Sequence, residues 1–302
     1  MLKSTAYNRA VSSRLSNMMF VRTADEGSVS ALFLSTLFLS TLFLLTLFVP
    51  DSESPLILSL ETATRAGSVA LARGAQLLAL RGSDAQASRS ARLLQSVEEI
   101  LEEAGASLPD VELFAAASGP GSFTGLRIGL ATVKSFAATL SRKCVGINTL
   151  AAVAHAAGAS RCTLAMIPAG RGEVFGQLLS VQADGEVTTL NEAVHQTPEK
   201  LLDSVAHIRQ LKFAGEGLQQ YEPLIRKRAE QSGLELLNED ATHPEIFNQD
   251  ECWIIARPAG ALAGNIAILA HQYSLRNETT GPEQLRAFYV RPSDAELNVQ
   301  QQ

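Results

Sequence analysis

The sequence predicts an α/β protein of two half-domains, each a mixed sheet flanked by helices. Three observations predict it. Three strand-like segments, Leu56–Leu60, Gly67–Arg73 and Gln76–Arg81, precede the first amphipathic helix. Strand and helix then alternate to about residue 157, as parallel pairing requires. A second strand pair, Thr163–Ile167 and Glu173–Val181, restarts the pattern. A dinucleotide-binding unit alternates from its first strand, so the opening meander is unlike one.

Leu56 to Leu60 is a continuous apolar run with one serine, the pattern of a buried strand. Gly67–Arg73 and Gln76–Arg81 are joined by a short turn at Gly74. From Ser88 to Ala104, residues Leu93, Leu94, Val97, Ile100, Leu101 and Ala104 recur at helical spacing, with Glu98, Glu99, Glu102 and Glu103 opposite or flanking. Glu112–Ser118 reads as a strand running into a glycine-rich loop. A helix follows to about Ser141, striped by Leu126, Leu130, Val133, Ala137 and Leu140, with the small residues Gly129, Ala131 and Ala138 nearby. Cys144–Ile147 and Leu150–Ala157 add a strand and a helix, and Pro198–Ile208, Gln219–Gln231 and Ala259–Gln272 have helical patterns. This order matches the half-domain of actin-like, sugar-kinase and Hsp70-type ATPases. The expected division is residues 1–54 as an extension, 55–160 and 161–297 as the two halves, and 298–302 as a tail.

Composition narrows the function. The chain has 302 residues, 46% hydrophobic and 19% charged, which is globular. A net charge of −6 disfavours gripping nucleic acid through the chain's own surface, since phosphate contacts need clustered Lys and Arg. Cys144, Cys162 and Cys252 are far apart, which suits a reducing compartment. No two of the five histidines are four residues apart, so HxxxH metal chemistry is absent.

The amino terminus carries an apolar repeat, LFLST-LFLST-LFLLT-LFVP, from Leu32 to Pro50. Ala31–Val49 is 19 residues, about enough to cross a bilayer. Lys3, Arg9, Arg14 and Arg22 precede it, and the positive-inside rule would keep them inside. It makes a poor signal peptide, being too long and lacking a small-x-small cleavage site. Two readings stand: an over-extended gene model, since a fifteen-base tandem repeat encodes such a pattern, or a membrane segment.

The loop Gly119-Pro120-Gly121-Ser122-Phe123-Thr124-Gly125 fits neither named phosphate loop. Walker A requires Lys after its last glycine, and Leu126 follows Gly125; GxGxxG meets Thr124 where its third glycine belongs. The loop opens a helix, so it either offers backbone N–H groups to an anion or provides a tight turn and close helix–sheet packing. Arg127 is either an anion clamp or a salt-bridge partner. Ser122 and Thr124 are nucleophiles only with a base beside them, and the sequence names none.

The string Ser118 to Gly129, SGPGSFTGLRIG, resembles the signature of the TsaB family of tRNA threonylcarbamoyladenosine biosynthesis subunits, also described as glycoprotease-like. Glu61-Thr62-Ala63-Thr64, Gly170-Arg171-Gly172-Glu173-Val174-Phe175 and Tyr289-Val290-Arg291 resemble the family's other motifs. The resemblance spans about residues 55–297. It implies the actin-like/Hsp70-like ATPase fold and a cytoplasmic, non-catalytic scaffold. Its partners would be the catalytic relative TsaD and the ATPase TsaE. The assembly would transfer threonylcarbamoyl to the adenosine 3′ to the anticodon in tRNAs reading ANN codons, with tRNA met only through the complex. The implied interface is helical, built from the first two helices of the first half, and Leu94, Val97, Leu101, Leu130, Val133 and Ala137 are its candidates. A homodimer would use the same surface when TsaD is absent.

The nucleotide site of the wider superfamily maps to Glu61, Thr62, Thr64, Pro168 and Arg171. Glu61 stands where related phosphotransferases have Asp, and Pro168 where the family commonly has Asp. Both acidic positions are altered, so no cofactor or metal is assigned to this chain, and ATP and a metal are expected on partner subunits. A peptidase using Ser122 or Thr124 and a small-molecule kinase are the competing readings.

Overall fold

A computed structural model describes residues 54–82, 89–216, 218–239 and 251–290. The amino-terminal repeat, the 298–302 tail and the end of the Tyr-Val-Arg segment lie outside the described residues.

The first sheet grows from its first strand. β1 (Leu56–Glu61) is buried along its whole length. Leu56, Leu58 and Leu60 face one hydrophobic cluster, while Ile57 faces another. A strand covered on both faces needs an apolar run rather than an alternation. β2 (Ser68–Arg73) and β3 (Gln76–Gly82) continue as an antiparallel meander, turning at Gly74 with φ +56°. After α1 (Arg89–Glu103), β4 (Leu113–Gly119) pairs parallel with β1. After α2 (Phe123–Thr139), β5 (Lys143–Asn148) pairs parallel with β4. The strand order is β3-β2-β1-β4-β5. α3 (Thr149–Ala156) leads to the second sheet, its first turn capped by the Asn148 side chain.

That sheet repeats the plan. β6 (Ser160–Gly170), β7 (Glu173–Val181) and β8 (Val187–Thr189) form an antiparallel meander, and β9 (Val194–Gln196) also pairs with β7. After α4 (Pro198–Val205), β10 (Leu211–Ala214) pairs parallel with β6. α5 (Leu218–Gln231), β11 (Glu235–Asn238) and β12 (Cys252–Ile255) complete the order β11-β12-β10-β6-β7-β8. A meander followed by a strand parallel to its first member thus occurs twice, as the actin-like expectation requires.

The last helix corrects the linear division at residue 160. α6 (Ala263–Leu275) packs on the first sheet, where Ile266, Ala267, Leu269 and Ala270 share a cluster with Ile57 and Val145. Ser59 Oγ donates to the Ala263 carbonyl at 2.7 Å, and Ser68 Oγ accepts from the Ala263 N–H at 3.0 Å. Beyond it, Cys144 N–H donates to the Thr280 carbonyl at 2.9 Å. Residues 263–290 therefore return to the first half, because its sheet needs a second apolar cover. Among the described residues no helix is long and apolar enough to cross a membrane.

Candidate functional site

Three segments meet at the carboxyl end of β1: the turn after Glu61, the glycine loop before α2, and the chain around Phe288. Glu61 is only 1% exposed. Its Oε1 accepts the N–H groups of Ala63 at 2.6 Å and Thr64 at 2.8 Å, and its Oε2 accepts the Thr64 hydroxyl at 2.8 Å. Three of roughly four acceptor positions on the carboxylate are therefore taken by its own turn. Burial pushes the Glu61 carboxyl above the usual carboxylate range; the three hydrogen bonds oppose this, and Glu216 adds to it. Glu61 works as a cap for the turn. Beside it lies a water-sized cavity of about 20 Å³, bordered by Thr62, Ser68 and Arg92 among others.

The glycine loop is a packing joint. Ser118 accepts the Phe288 N–H at 2.7 Å, and a Cβ on Gly119 (φ +121°) would collide with the Phe288 carbonyl oxygen. A Cβ on Gly125 would collide with the Thr62 carbonyl oxygen, while the Thr62 hydroxyl donates to the Gly125 carbonyl at 2.8 Å. Ser122 N–H donates to the Ala63 carbonyl at 2.8 Å. Pro120 is buried in the same joint, and its peptide bond with Gly119 is cis. Of the two readings open from the sequence, close packing accounts for Gly119 and Gly125.

The loop's polar side chains are similarly occupied. Ser122 Oγ accepts the Gly125 N–H at 3.2 Å and caps α2, one of the common serine N-cap arrangements. Thr124 is exposed. The nearest histidine in sequence, His155, points its Nδ1 at Asn265 Oδ1, 2.8 Å away. Nothing in this geometry activates Ser122 as a nucleophile. Arg127 lies over the Phe123 ring at 3.9 Å, and Phe123 in turn packs on Tyr289 with centroids 5.3 Å apart. Among the described residues the guanidinium is stacked rather than paired with a carboxylate.

Pro168 and Arg171 sit on the β6–β7 hairpin of the second sheet. Pro168 pairs with Val174 across it, and Gly170, Arg171 and Gly172 all have positive φ, from +52° to +84°. Sequence reasoning missed the neighbouring pair. Glu173 Oε2 lies 3.0 Å from His195 Nε2, at ion-pair distance though not aligned as a hydrogen bond. Phe175 packs on the His195 ring with centroids 5.2 Å apart. The Gly-Glu-Val-Phe string was the available signal, but His195 lies on β9, a three-residue strand that no pattern predicts. Among the described residues no cluster of His, Cys, Asp and Glu is placed to hold a metal ion.

The candidate partner residues need correction. Val97, Leu101, Leu130, Val133 and Ala137 all lie in the chain's own core, in one cluster with Leu56, Leu58 and Phe114. Only Leu94, at 53%, is exposed. The stripe formed by helical period faces the sheet, and Leu94 falls one step, about 100°, beyond its neighbour Leu93. The exposed faces are instead Leu94, Gln95, Glu98 and Glu102 on α1, and Thr124, Arg127, Ala131, Ser135 and Ala138 on α2.

Comparison with known proteins bears on this arrangement. Residues 83–247, more than half of the chain, match the family described as TsaD: tRNA N6-adenosine threonylcarbamoyltransferase. The tRNA threonylcarbamoyladenosine biosynthesis protein TsaB of Escherichia coli is 38% identical over 123 residues, 39% of this chain and 52% of that protein. The chain therefore spans about half the length of that relative. The TsaB of Haemophilus influenzae is 30% identical over 192 residues, 60% of this chain and 80% of that protein. The chain belongs to the TsaB family. A solved structure, YeaZ from Pseudomonas aeruginosa, superimposes with a TM-score of 0.58 at 25% identity, covering 78% of this chain and 99% of that one. In this TsaB-family chain the glycine signature is thus the joint that seats α2 on β1, and Glu61 is its buried cap.

Proposed function

We propose that this chain is a non-catalytic subunit of tRNA threonylcarbamoyladenosine biosynthesis, acting as a scaffold for a TsaD-type transferase. The observation that carries the reading is Glu61. It stands at the superfamily's acidic position, yet its oxygens are held by its own turn and shielded from solvent. A carboxylate so held does not present an open pair of oxygens to a hydrated metal. Pro168, at the second expected acidic position, has no N–H donor and no metal-binding group on its side chain. Family membership supports the pathway, and the names of the TsaB and TsaD relatives support the partner.

The partner would dock on the exposed faces of α1 and α2 around Leu94. These are flanked by small or short side chains, Ala131, Ser135 and Ala138, which let another helix approach closely. A standard interface buries about 1,600 Å² in total, the area these two helices would have to supply with the partner. TsaE joins this assembly, tRNA is met through it, and the complex works in the cytoplasm. A homodimer through the same faces competes when TsaD is absent.

The test is reconstitution. Purified chain, threonylcarbamoyl adenylate and tRNA are incubated with and without the TsaD partner, and the modified nucleoside is read by mass spectrometry. Product is expected only with TsaD, and Leu94→Asp should weaken TsaD binding at least about 10-fold with an unchanged melt. Robust product without TsaD would overturn the scaffold role.

A further inference from the structure

We propose that Phe123, Arg127 and Tyr289 anchor the protein partner, which meets Arg127 with a carboxylate. This rests on the scaffold reading and names the contact that holds the partner. Two motifs of the sequence, Ser118–Gly129 and Tyr289-Val290-Arg291, meet at the start of α2. Packing accounts for Gly119 and Gly125 of the first. It does not account for Arg127, which is exposed, or for Tyr289, which is 42% exposed. Phe288, beside Tyr289, is 45% exposed. Among the described residues no other phenylalanine, tyrosine or tryptophan is exposed.

The cluster is fixed in place. The Phe288 N–H donates to the Ser118 carbonyl at 2.7 Å, which ties the segment carrying Phe288 and Tyr289 to the glycine loop. Phe123 touches both other members: Arg127 covers its ring at 3.9 Å, and Tyr289 packs on it with centroids 5.3 Å apart. Arg127 follows Phe123 by four residues, and helical side chains lean toward the amino end. The guanidinium is therefore held over the first turn of α2. A cation there works against the helix dipole, and the first turn carries no acidic residue to compensate. Arg127 also has no ion pair among the described residues. A residue that breaks a local rule with no compensating contact in its own chain is the kind found at functional sites.

Stacking on the ring preorganises the guanidinium and leaves its N–H fork free for a planar acceptor, a carboxylate or a phosphate. The surroundings choose between them. A nucleic-acid backbone calls for clustered Lys and Arg, which one arginine on a chain of net charge −6 does not provide. An arginine set among a tyrosine and two phenylalanines has instead the composition of a protein hot spot, where Arg and Tyr carry much of the binding energy. Arg127 also lies on the exposed face of α2 with Thr124, Ala131 and Ser135. The anchor is thus continuous with the docking faces and extends them beyond the two helices to the segment at Phe288 and Tyr289. The occupant is the TsaD-type partner, presenting an Asp or Glu side chain at this end of α2.

The experiment is calorimetric titration of the full chain with its TsaD partner, at low salt and at about 0.5 M salt, where exposed charges are largely screened. Arg127→Ala should weaken binding at least about 30-fold, the loss of a hot-spot side chain, with an unchanged melting temperature. Arg127→Lys keeps the charge without the fork and should still weaken it about 10-fold. Tyr289→Ala should also cost about 10-fold. Salt should weaken the wild-type complex more than the Arg127→Ala complex, since only the first has the charged contact. If Arg127→Ala melts lower, Arg127→Met, which keeps an apolar stem over Phe123, is read instead. Leu94→Asp separates the two readings. A wild-type chain that does not bind TsaD overturns the scaffold role and the anchor together; binding weakened by Leu94→Asp and untouched by Arg127→Ala overturns the anchor alone. Equal salt sensitivity in the wild-type and Arg127→Ala complexes also overturns it. So does a variant that loses only self-association, or an isolated chain that binds tRNA and loses it with Arg127→Ala, which assigns the cluster to a second copy or to RNA.

Discussion

The turn after β1 and the β6–β7 hairpin occupy equivalent places in the two halves, each following the first strand of its sheet, yet they are built in different ways. At the first, the acidic residue is present and has been turned inward: Glu61 closes the turn that seats α2. At the second, Pro168 continues the strand into a tip of three positive-φ residues. In the first region the carboxylate is part of a buried joint. In the second the residue is partly exposed and lies outside that joint. The comparison teaches that an acidic residue at a superfamily position is not evidence of function until its oxygens are traced.

The comparison breaks most readily at Glu61. Glu61→Ala leaves the Ala63 and Thr64 N–H groups buried without acceptors. Each such loss costs about 1–3 kcal/mol, offset in part by relief of a buried charge, so a net loss of about 2 kcal/mol is expected in denaturant unfolding. Glu61→Gln keeps an oxygen facing both N–H groups and should cost less than about 1 kcal/mol. The two variants also separate in pH. Burial raises the carboxyl of Glu61 in the folded chain, so the folded state binds the extra proton between the ordinary carboxylate value and the raised one. Stability therefore falls as pH climbs through that window and is flat above it. Glu61→Gln should remove this slope, measured as the unfolding midpoint across the acidic range. A slope unchanged in Glu61→Gln would assign it to other groups.

Much of this was legible in the sequence, and the rest failed for physical reasons. The first half reads well because its strands are six or seven residues long, those at its centre almost wholly apolar, and its helices carry clear stripes. The second half hides its parallel strands. Leu211–Ala214 is four residues long and contains the buried Lys212, which breaks the apolar run. β8 and β9 are three residues each, too short for any period to declare itself. The stripe on α1 and α2 was found, but period alone says which residues share a face, not whether that face meets a sheet or a partner. Leu130 and Val133 therefore read as an interface and proved to be core. The return of α6 to the first sheet depends on contacts some 200 residues apart in the chain, such as Ser59 with Ala263, which no local pattern carries.

The smallest expected effect sharpens the other side of the comparison. Pro168→Asp restores an acidic group on the partly exposed hairpin and should change stability by less than about 1 kcal/mol, as surface substitutions usually do. It should confer no nucleotide turnover, because Glu61 would remain engaged in its own turn. A large loss in chemical denaturation would mean that Pro168 supports the hairpin more than its partial exposure implies.

The most direct measurement of the central claim is Mg²⁺-dependent ATP hydrolysis by the full chain without partners, compared with Glu61→Gln. If the Glu61 carboxylate is a structural cap, the wild-type chain and Glu61→Gln show the same background rate at every Mg²⁺ concentration. Turnover in the wild-type chain that rises with Mg²⁺ and disappears in Glu61→Gln would contradict the account.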